Sequence, residues 1–230
     1  MTCLRVKGQS HSCFKFNKVL ILARTKMSAD KICVGAYDLD ENRYVRLLDT
    51  GAKPLSQSAC YKLGEVYEIK YQNRYQNQLT PPHMEDIVVY EYELIERIPA
   101  DKLFEFVNQI AIDANHISEL FQSSLSWLHG YGFITKNQVP NHSVCIARLK
   151  HDLRCVTEYY NNKKSVYFEL LNSDRMYKIK YVGEIKLRDN FTLHKGYPIR
   201  FSLARWWDKG DGVERCHLQL SCFYLKKYLE

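Results

Sequence analysis

The sequence predicts a mainly β protein with a helical insert, an α+β chain in which two small β barrels or sandwiches are bridged by helices. Three observations lead there. Tyrosine and phenylalanine are abundant, at 17 and 10 of 230 residues, and aromatic side chains suit pleated, half-buried surfaces. Short apolar or alternating runs of strand length recur on both sides of the centre. Between them the hydrophobic period changes to that of a helix. With only 10 glycines and 6 prolines, the composition gives no sign of disorder.

Residues 1–15 are polar and without period, and read as an N-terminal arm. The first lobe is expected over 16–100. It opens with the apolar run 17–23, turns at Ser28-Ala29-Asp30, and continues with a strand over 31–37. The polar stretch 38–42 reads as a hairpin connection, and 43–48 alternates as a half-buried strand should. A loop with Gly51 and Pro54 follows, then an alternating strand over 65–71. After the Pro81-Pro82 break, 86–95 is the fifth strand-like segment.

A helical linker is expected over 101–135. Leu103, Phe104, Val107, Ile110 and Ala111 fall on one helical face, and Ile117, Leu120, Phe121, Leu125 and Leu128 repeat the pattern, with Gly130 placed as a stop. The second lobe, 136–230, returns to strands at 143–149, 164–170, 175–181, 197–203 and 215–225. Five short strands, a helical interruption and five more suggest two packed β units.

Composition also excludes some classes of protein. No apolar run approaches the roughly 20 residues that span a bilayer. Gln9, Ser10 and His11 stand where a signal peptide would be apolar. The expected location is cytoplasmic, with no membrane partner. The 8 cysteines, at 3, 13, 33, 60, 145, 155, 216 and 222, include no C-x-x-C pair, so structural, reduced thiols are expected in a reducing compartment. Charge is segregated. Residues 1–76 carry 13 basic and 7 acidic side chains, 77–135 carry 2 and 9, and 136–230 carry 18 and 10. Two basic lobes flanking an acidic middle suit a protein whose lobes meet a polyanion, although solvated surface charge is the plainer account.

At 18–48 the sequence resembles a known family. The run Lys18-Val-Leu-Ile-Leu-Ala-Arg-Thr-Lys26, then Ile32-Cys33-Val34-Gly35-Ala36, then Tyr44-Val45-Arg46-Leu47 is similar to the opening of the dual OB-containing domain family (DuOB). Pro82-His83-Met84-Glu85-Asp86 looks like the acidic motif that opens a later strand of that family. His217-Leu-Gln-Leu-Ser221, followed by Phe223-Tyr-Leu-Lys-Lys227, is similar to its closing strand. Val34-Gly35-Ala36 in the second strand, and Leu47 rather than proline after Arg46, mark a divergent member. The resemblance implies two OB-like barrels and a nucleic-acid or nucleotide-sensing role in bacterial defence against invading DNA. It implies no catalytic residues.

OB-type barrels bind single strands through a basic groove and aromatic platforms on which bases stack. The candidates in the first lobe are Arg24, Lys26, Arg43, Tyr44 and Arg46, with Tyr44 as a stacking platform. In the second lobe Arg175, Lys178 and Lys180 alternate with Met176, Tyr177 and Ile179, so the bases share one face of a strand. Each of these residues has an equally good reading as the solvent face of an antiparallel strand. Arg46 stands apart because it interrupts an apolar run, and it is expected to pair with Glu85 or Asp86 as a structural lock.

His83, Glu85 and Asp86 lie within four residues. On a strand only His83 and Glu85 share a face, too few ligands for a metal. Trp206-Trp207-Asp208-Lys209-Gly210-Asp211-Gly212 is a turn signal with two tryptophans at its base. It resembles a calcium loop only in its aspartates. No nucleotide-binding or hydrolase motif is present. The expectation is therefore a non-catalytic binding module without metal or cofactor, its partner a nucleic acid or nucleotide. A protein-interaction adaptor for an effector is the rival, and a hydrolase using His83, Glu85 and Asp86 is the weaker alternative.

Overall fold

A computed structural model describes residues 14–27, 30–74, 79–173, 175–188 and 190–229. The predicted turn residues Ser28 and Ala29 lie outside the described residues, as does the predicted arm up to residue 13. Lys15 already belongs to the first strand.

The long first strand explains why the sequence there is a continuous apolar run rather than an alternating one. In β1 (Lys15–Lys26), Val19 and Ile21 point into the core of the first barrel, whereas Leu20, Leu22 and Ala23 point into a second cluster that joins the lobes. Both faces are covered, so both are apolar. Next come β2 (Lys31–Asp38), β3 (Arg43–Leu48), the short β4 (Leu55–Ser56), β5 (Glu65–Asn73) and β6 (Asp86–Arg97). The ring runs β1-β2-β3-β6-β5 and closes on β1. Strand β6 returns parallel to β3, with Arg46 opposite Asp86. The two halves of β1 pair with different neighbours, Lys15 to Leu20 with β5 and Val19 to Lys26 with β2. That five-stranded ring is an OB-type barrel.

Helix α1 (Ala100–Ile110) forms as its period predicts, burying Leu103 and Val107 in the cluster between the lobes. The second predicted helix does not form. After β7 (Ile112–Ala114) come one 3-10 turn and the four-residue α2 (Leu120–Ser123). Phe121 and Gln122 there take left-handed backbone angles, with φ of 53° and 59°. Then β8 (Ser126–Leu128) and β9 (Tyr131–Ile134) make a hairpin. Its turn is His129-Gly130, both at positive φ, so Gly130 serves the hairpin and stops no helix. Ile117, Leu120 and Phe121 are buried as the pattern demanded. An irregular path seats them as well as a helix would, and apolar period alone does not distinguish the two. The stretch 101–135 is thus one helix followed by three short strands of the second sheet.

The second lobe comprises β10 (Val144–Leu149), β11 (Leu153–Tyr160), β12 (Lys163–Leu170), β13 (Lys178–Tyr181), β14 (Thr192–Leu193), β15 (Pro198–Leu203), β16 (Trp207–Asp208) and β17 (Glu214–Phe223). Its ladder runs β11-β12-β13, then to β17 in parallel, then to β15 and β10. Strands β10 and β11 follow one another across three residues, so together they occupy the place that β1 fills in the first lobe. Strand β11 was missed in the sequence, although Leu153 and Cys155 are buried and Arg154 is exposed in a legible alternation. The predicted strand 175–181 is shorter, starting at Lys178.

The lobes are stitched by the shared cluster of Leu20, Leu22, Val66, Ile146 and Tyr224. The Tyr224 hydroxyl donates to the Leu22 carbonyl at 2.8 Å, and Thr25 bridges to Gly183. No helix among the described residues is long and apolar enough to cross a membrane.

Candidate ligand-binding cleft between the two barrels

The segment that enters β6 clamps the first barrel to the second. His83 Nε2 donates to the Leu203 carbonyl at 3.1 Å, since a carbonyl can only accept. The Glu85 carboxylate accepts from the Ser143 amide at 2.6 Å and from its hydroxyl at 2.8 Å. Trp206 Nε1 donates to the Pro81 carbonyl at 2.9 Å. Each of these bonds crosses between lobes.

Beside the clamp lies a cleft of about 250 Å³ lined by Lys26, Arg46, His83, Glu85, Arg200 and Arg205, among others. Asp86, its side chain only 1% exposed, is bonded to two of the arginines that line the cleft. One of its oxygens receives Arg46 at 2.6 Å, Arg205 at 2.6 Å and Arg74 at 3.3 Å. The expected lock of Arg46 is therefore made with Asp86, while Glu85 serves Ser143. Burial pushes the Asp86 carboxyl upward against the pull of Arg46 and Arg74, and burial also raises Glu85. Burial lowers His83 to about 4, so its ring is neutral near pH 7. His83 Nδ1 and the Nε atoms of Arg46, Arg74 and Arg200 are buried without a hydrogen-bond partner.

Arg200 reaches the cleft from β15 and is 3% exposed. Its Nη1 donates to Ser221 Oγ at 2.8 Å, and that hydroxyl donates back to the Arg200 carbonyl at 3.0 Å. Its Nη2 lies 2.2 Å from where a Cβ on Gly35 would stand, so a side chain at that position would push the guanidinium from its place. Sequence reasoning missed Arg74, Arg200 and Arg205. For Arg200 a signal was available: it interrupts the apolar run of β15 just as Arg46 interrupts that of β3.

The eight predicted binding residues divide by how free their side chains are. The Arg24 guanidinium donates to the carbonyls of Gln57, Ala59 and Tyr61 and pairs with Glu184 at 3.1 Å. Arg43 holds Glu41 at 2.6 Å and Asn73 at 2.8 Å. Lys178 is committed to Glu158 and, at 3.6 Å, to Glu169. Tyr44 is no open platform: its ring packs edge-on against Tyr37 at 5.3 Å in the inter-lobe cluster, and burial raises its hydroxyl well above the ordinary value. Lys26, Arg175 and Lys180 are exposed. Of the eight, Lys26 and Arg46 line the cleft.

His83, Glu85 and Asp86 each hold a different partner, and the described residues contain no group of three or more His, Cys, Asp or Glu side chains placed to hold a metal. In the tryptophan turn the Asp208 carboxylate accepts the amides of Gly210, Asp211 and Gly212, which is turn chemistry. Six cysteines are described, and none of them is in a disulfide.

Two OB-type barrels in tandem, joined by a helix and a shared cluster, define a dual-barrel protein. The chain belongs to the dual OB-containing domain family (DuOB), whose sequence model matches residues 17–222. No curated protein matches the sequence. Among solved structures, the chain is similar to one described as "Structural mimicry for functional antagonism" at 13% identity. The match covers 90% of this chain and 91% of that one, with a TM-score of 0.35. A second is the "Crystal structure of the tetrameric p202 HIN2", 9% identical, covering 90% and 94% at a TM-score of 0.31. A third, "Molecular basis for abrogation of activation of pro-inflammatory cytokines", is 12% identical and covers 91% and 93% at 0.33.

Proposed function

We propose that this chain is a non-catalytic binding module for single-stranded nucleic acid, or for a nucleotide derived from it, with phosphate drawn to the cleft between the barrels. The observation that carries the reading is the cationic excess there. Arg46 and Arg205, both held on Asp86, line the cleft with Arg200 and the exposed Lys26, and Glu85 is the carboxylate among its described lining residues. Positive charge concentrated between low-dielectric walls raises the local concentration of anions. OB barrels supply the usual scaffold for single strands. The finer role, a cytoplasmic sensor in bacterial defence, rests on the family resemblance alone.

Fluorescence anisotropy with labelled single-stranded oligonucleotides across a salt series tests it. Affinity should fall with salt, with a log–log slope of about −0.7 per phosphate contacted. Binding that ignores salt, or no binding, overturns the reading. The adaptor alternative draws on a different surface, the acidic helical segment and the tryptophan turn, where Trp207 is exposed. Substitutions there should leave oligonucleotide binding unchanged.

A further inference from the structure

Arg200 is a buried cation that no described residue neutralises. The other arginines of the cleft share Asp86, but among the described residues Arg200 makes no ion pair, and its guanidinium donates to the neutral Ser221 hydroxyl. The titratable groups that sense its charge are Tyr44, Cys145, Cys222 and Tyr224. Burial pushes Cys145 up to about 12 and Cys222 to about 11, and raises both tyrosines. All four are therefore uncharged near pH 7. Glu85, the carboxyl among the described residues that line the cleft, is occupied by Ser143.

An uncompensated buried charge is costly, and here β2 carries Gly35 where a Cβ would displace the guanidinium. A planar fork in a small cleft, beside Lys26 and Arg205, matches an oxyanion of two or more oxygens. A phosphomonoester suits it best, carrying about −1.5 to −2 charges at pH 7. With Arg200 only 3% exposed, a chain end or a free nucleotide suits it better than an internal phosphodiester, which a strand must leave in both directions.

We infer that Arg200 seats a phosphomonoester at the floor of the inter-lobe cleft, so that the ligand presents a terminal phosphate. This deepens the nucleic-acid reading and rests on it for the identity of the ligand, though not for the anion site itself.

Thermal unfolding in inorganic phosphate, against chloride at matched ionic strength, tests the site directly. Phosphate should raise the wild-type midpoint in a saturable way. Arg200→Met should bind phosphate at least about tenfold more weakly, the loss of a charge-assisted fork. In phosphate-free buffer Arg200→Met should melt no lower than wild type, which a merely structural arginine would not allow. Should that variant fail to fold, Ser221→Ala, which removes the hydroxyl that orients the guanidinium, should lower the phosphate response by itself. No response in wild type, or an equal response in the Arg200→Met or Ser221→Ala protein, overturns the inference. Competition by phosphate against 5′-phosphorylated, 3′-phosphorylated and unphosphorylated oligonucleotides, and against a nucleoside monophosphate, identifies the source. Equal oligonucleotide binding with and without a terminal phosphate, untouched by phosphate, overturns the seat and leaves the strand-binding reading standing. A phosphate response without oligonucleotide binding does the reverse.

Discussion

Asp86 lies behind the cleft that Arg200 lines; the two are about equally buried and are treated in opposite ways. Asp86, at the entry to β6, is met by three arginines drawn from both lobes, and the bonds that position them also dock the barrels. Arg200, on β15, has a hydroxyl, a glycine backbone and neutral thiols around it. A buried charge surrounded by opposite charges belongs to the framework, because removing it strands its partners. A buried charge left without one contributes nothing comparable to folding, and its presence calls for a ligand. The contrast separates lock from seat by stability alone, before any ligand is known.

The largest expected effect is on the lock. Asp86→Ala leaves three guanidiniums crowded at the docking surface and should cost about 3–5 kcal/mol in urea unfolding. A loss below about 1 kcal/mol would show that the arginines simply turn to solvent and that the lobes are held by their apolar cluster.

His83 gives the next largest effect, through pH. An unfolded histidine titrates near 6.5, whereas burial holds His83 at about 4. Between those values the unfolded chain takes up the proton that the folded chain refuses, so stability falls as pH drops through that window. The full loss is about 3 kcal/mol. Glu85, raised by burial, favours the folded state as pH falls, so the measurement is a difference. His83→Gln, which keeps a donor for Leu203, should lose less stability than wild type from pH 7 to 4.5. Parallel curves would refute the assignment.

Arg46→Gln should cost about 2 kcal/mol, a charged hydrogen bond lost, and less than Asp86→Ala because Arg74 and Arg205 remain on the carboxylate. A cost equal to that of Asp86→Ala would make Arg46 the keystone and the other two bystanders. The smallest stability effect belongs to Lys26→Ala. Being exposed, it should move stability by less than about 0.5 kcal/mol while reducing the salt slope of oligonucleotide binding by about 0.7–1.

The lock itself was legible. An arginine breaking an apolar strand needs a carboxylate, and Glu85 or Asp86 followed from the sequence. The parallel register that sets Arg46 opposite Asp86 chose between them. The same reasoning applied to β15 would have found Arg200, but it would have supplied a partner that the fold does not. Tyr44 went the other way: flanked by two arginines in sequence, it reads as a platform, yet its ring is shut into the contact between lobes.

The sequence by itself determined the β runs, the helix α1 and the lobes' basic character, because strand alternation, helical period and charge are properties of neighbouring residues. It also fixed the glycine at position 35 without saying why. What only the tertiary structure decided is how faces meet. Whether an apolar residue is core of one barrel or contact between two, whether Ile117 and Phe121 lie on a helix or on an irregular path, and whether an arginine finds a carboxylate depend on residues far away in the chain. Burial energy is nearly indifferent to the backbone path that achieves it, and a charge is satisfied or stranded by geometry that no local pattern records.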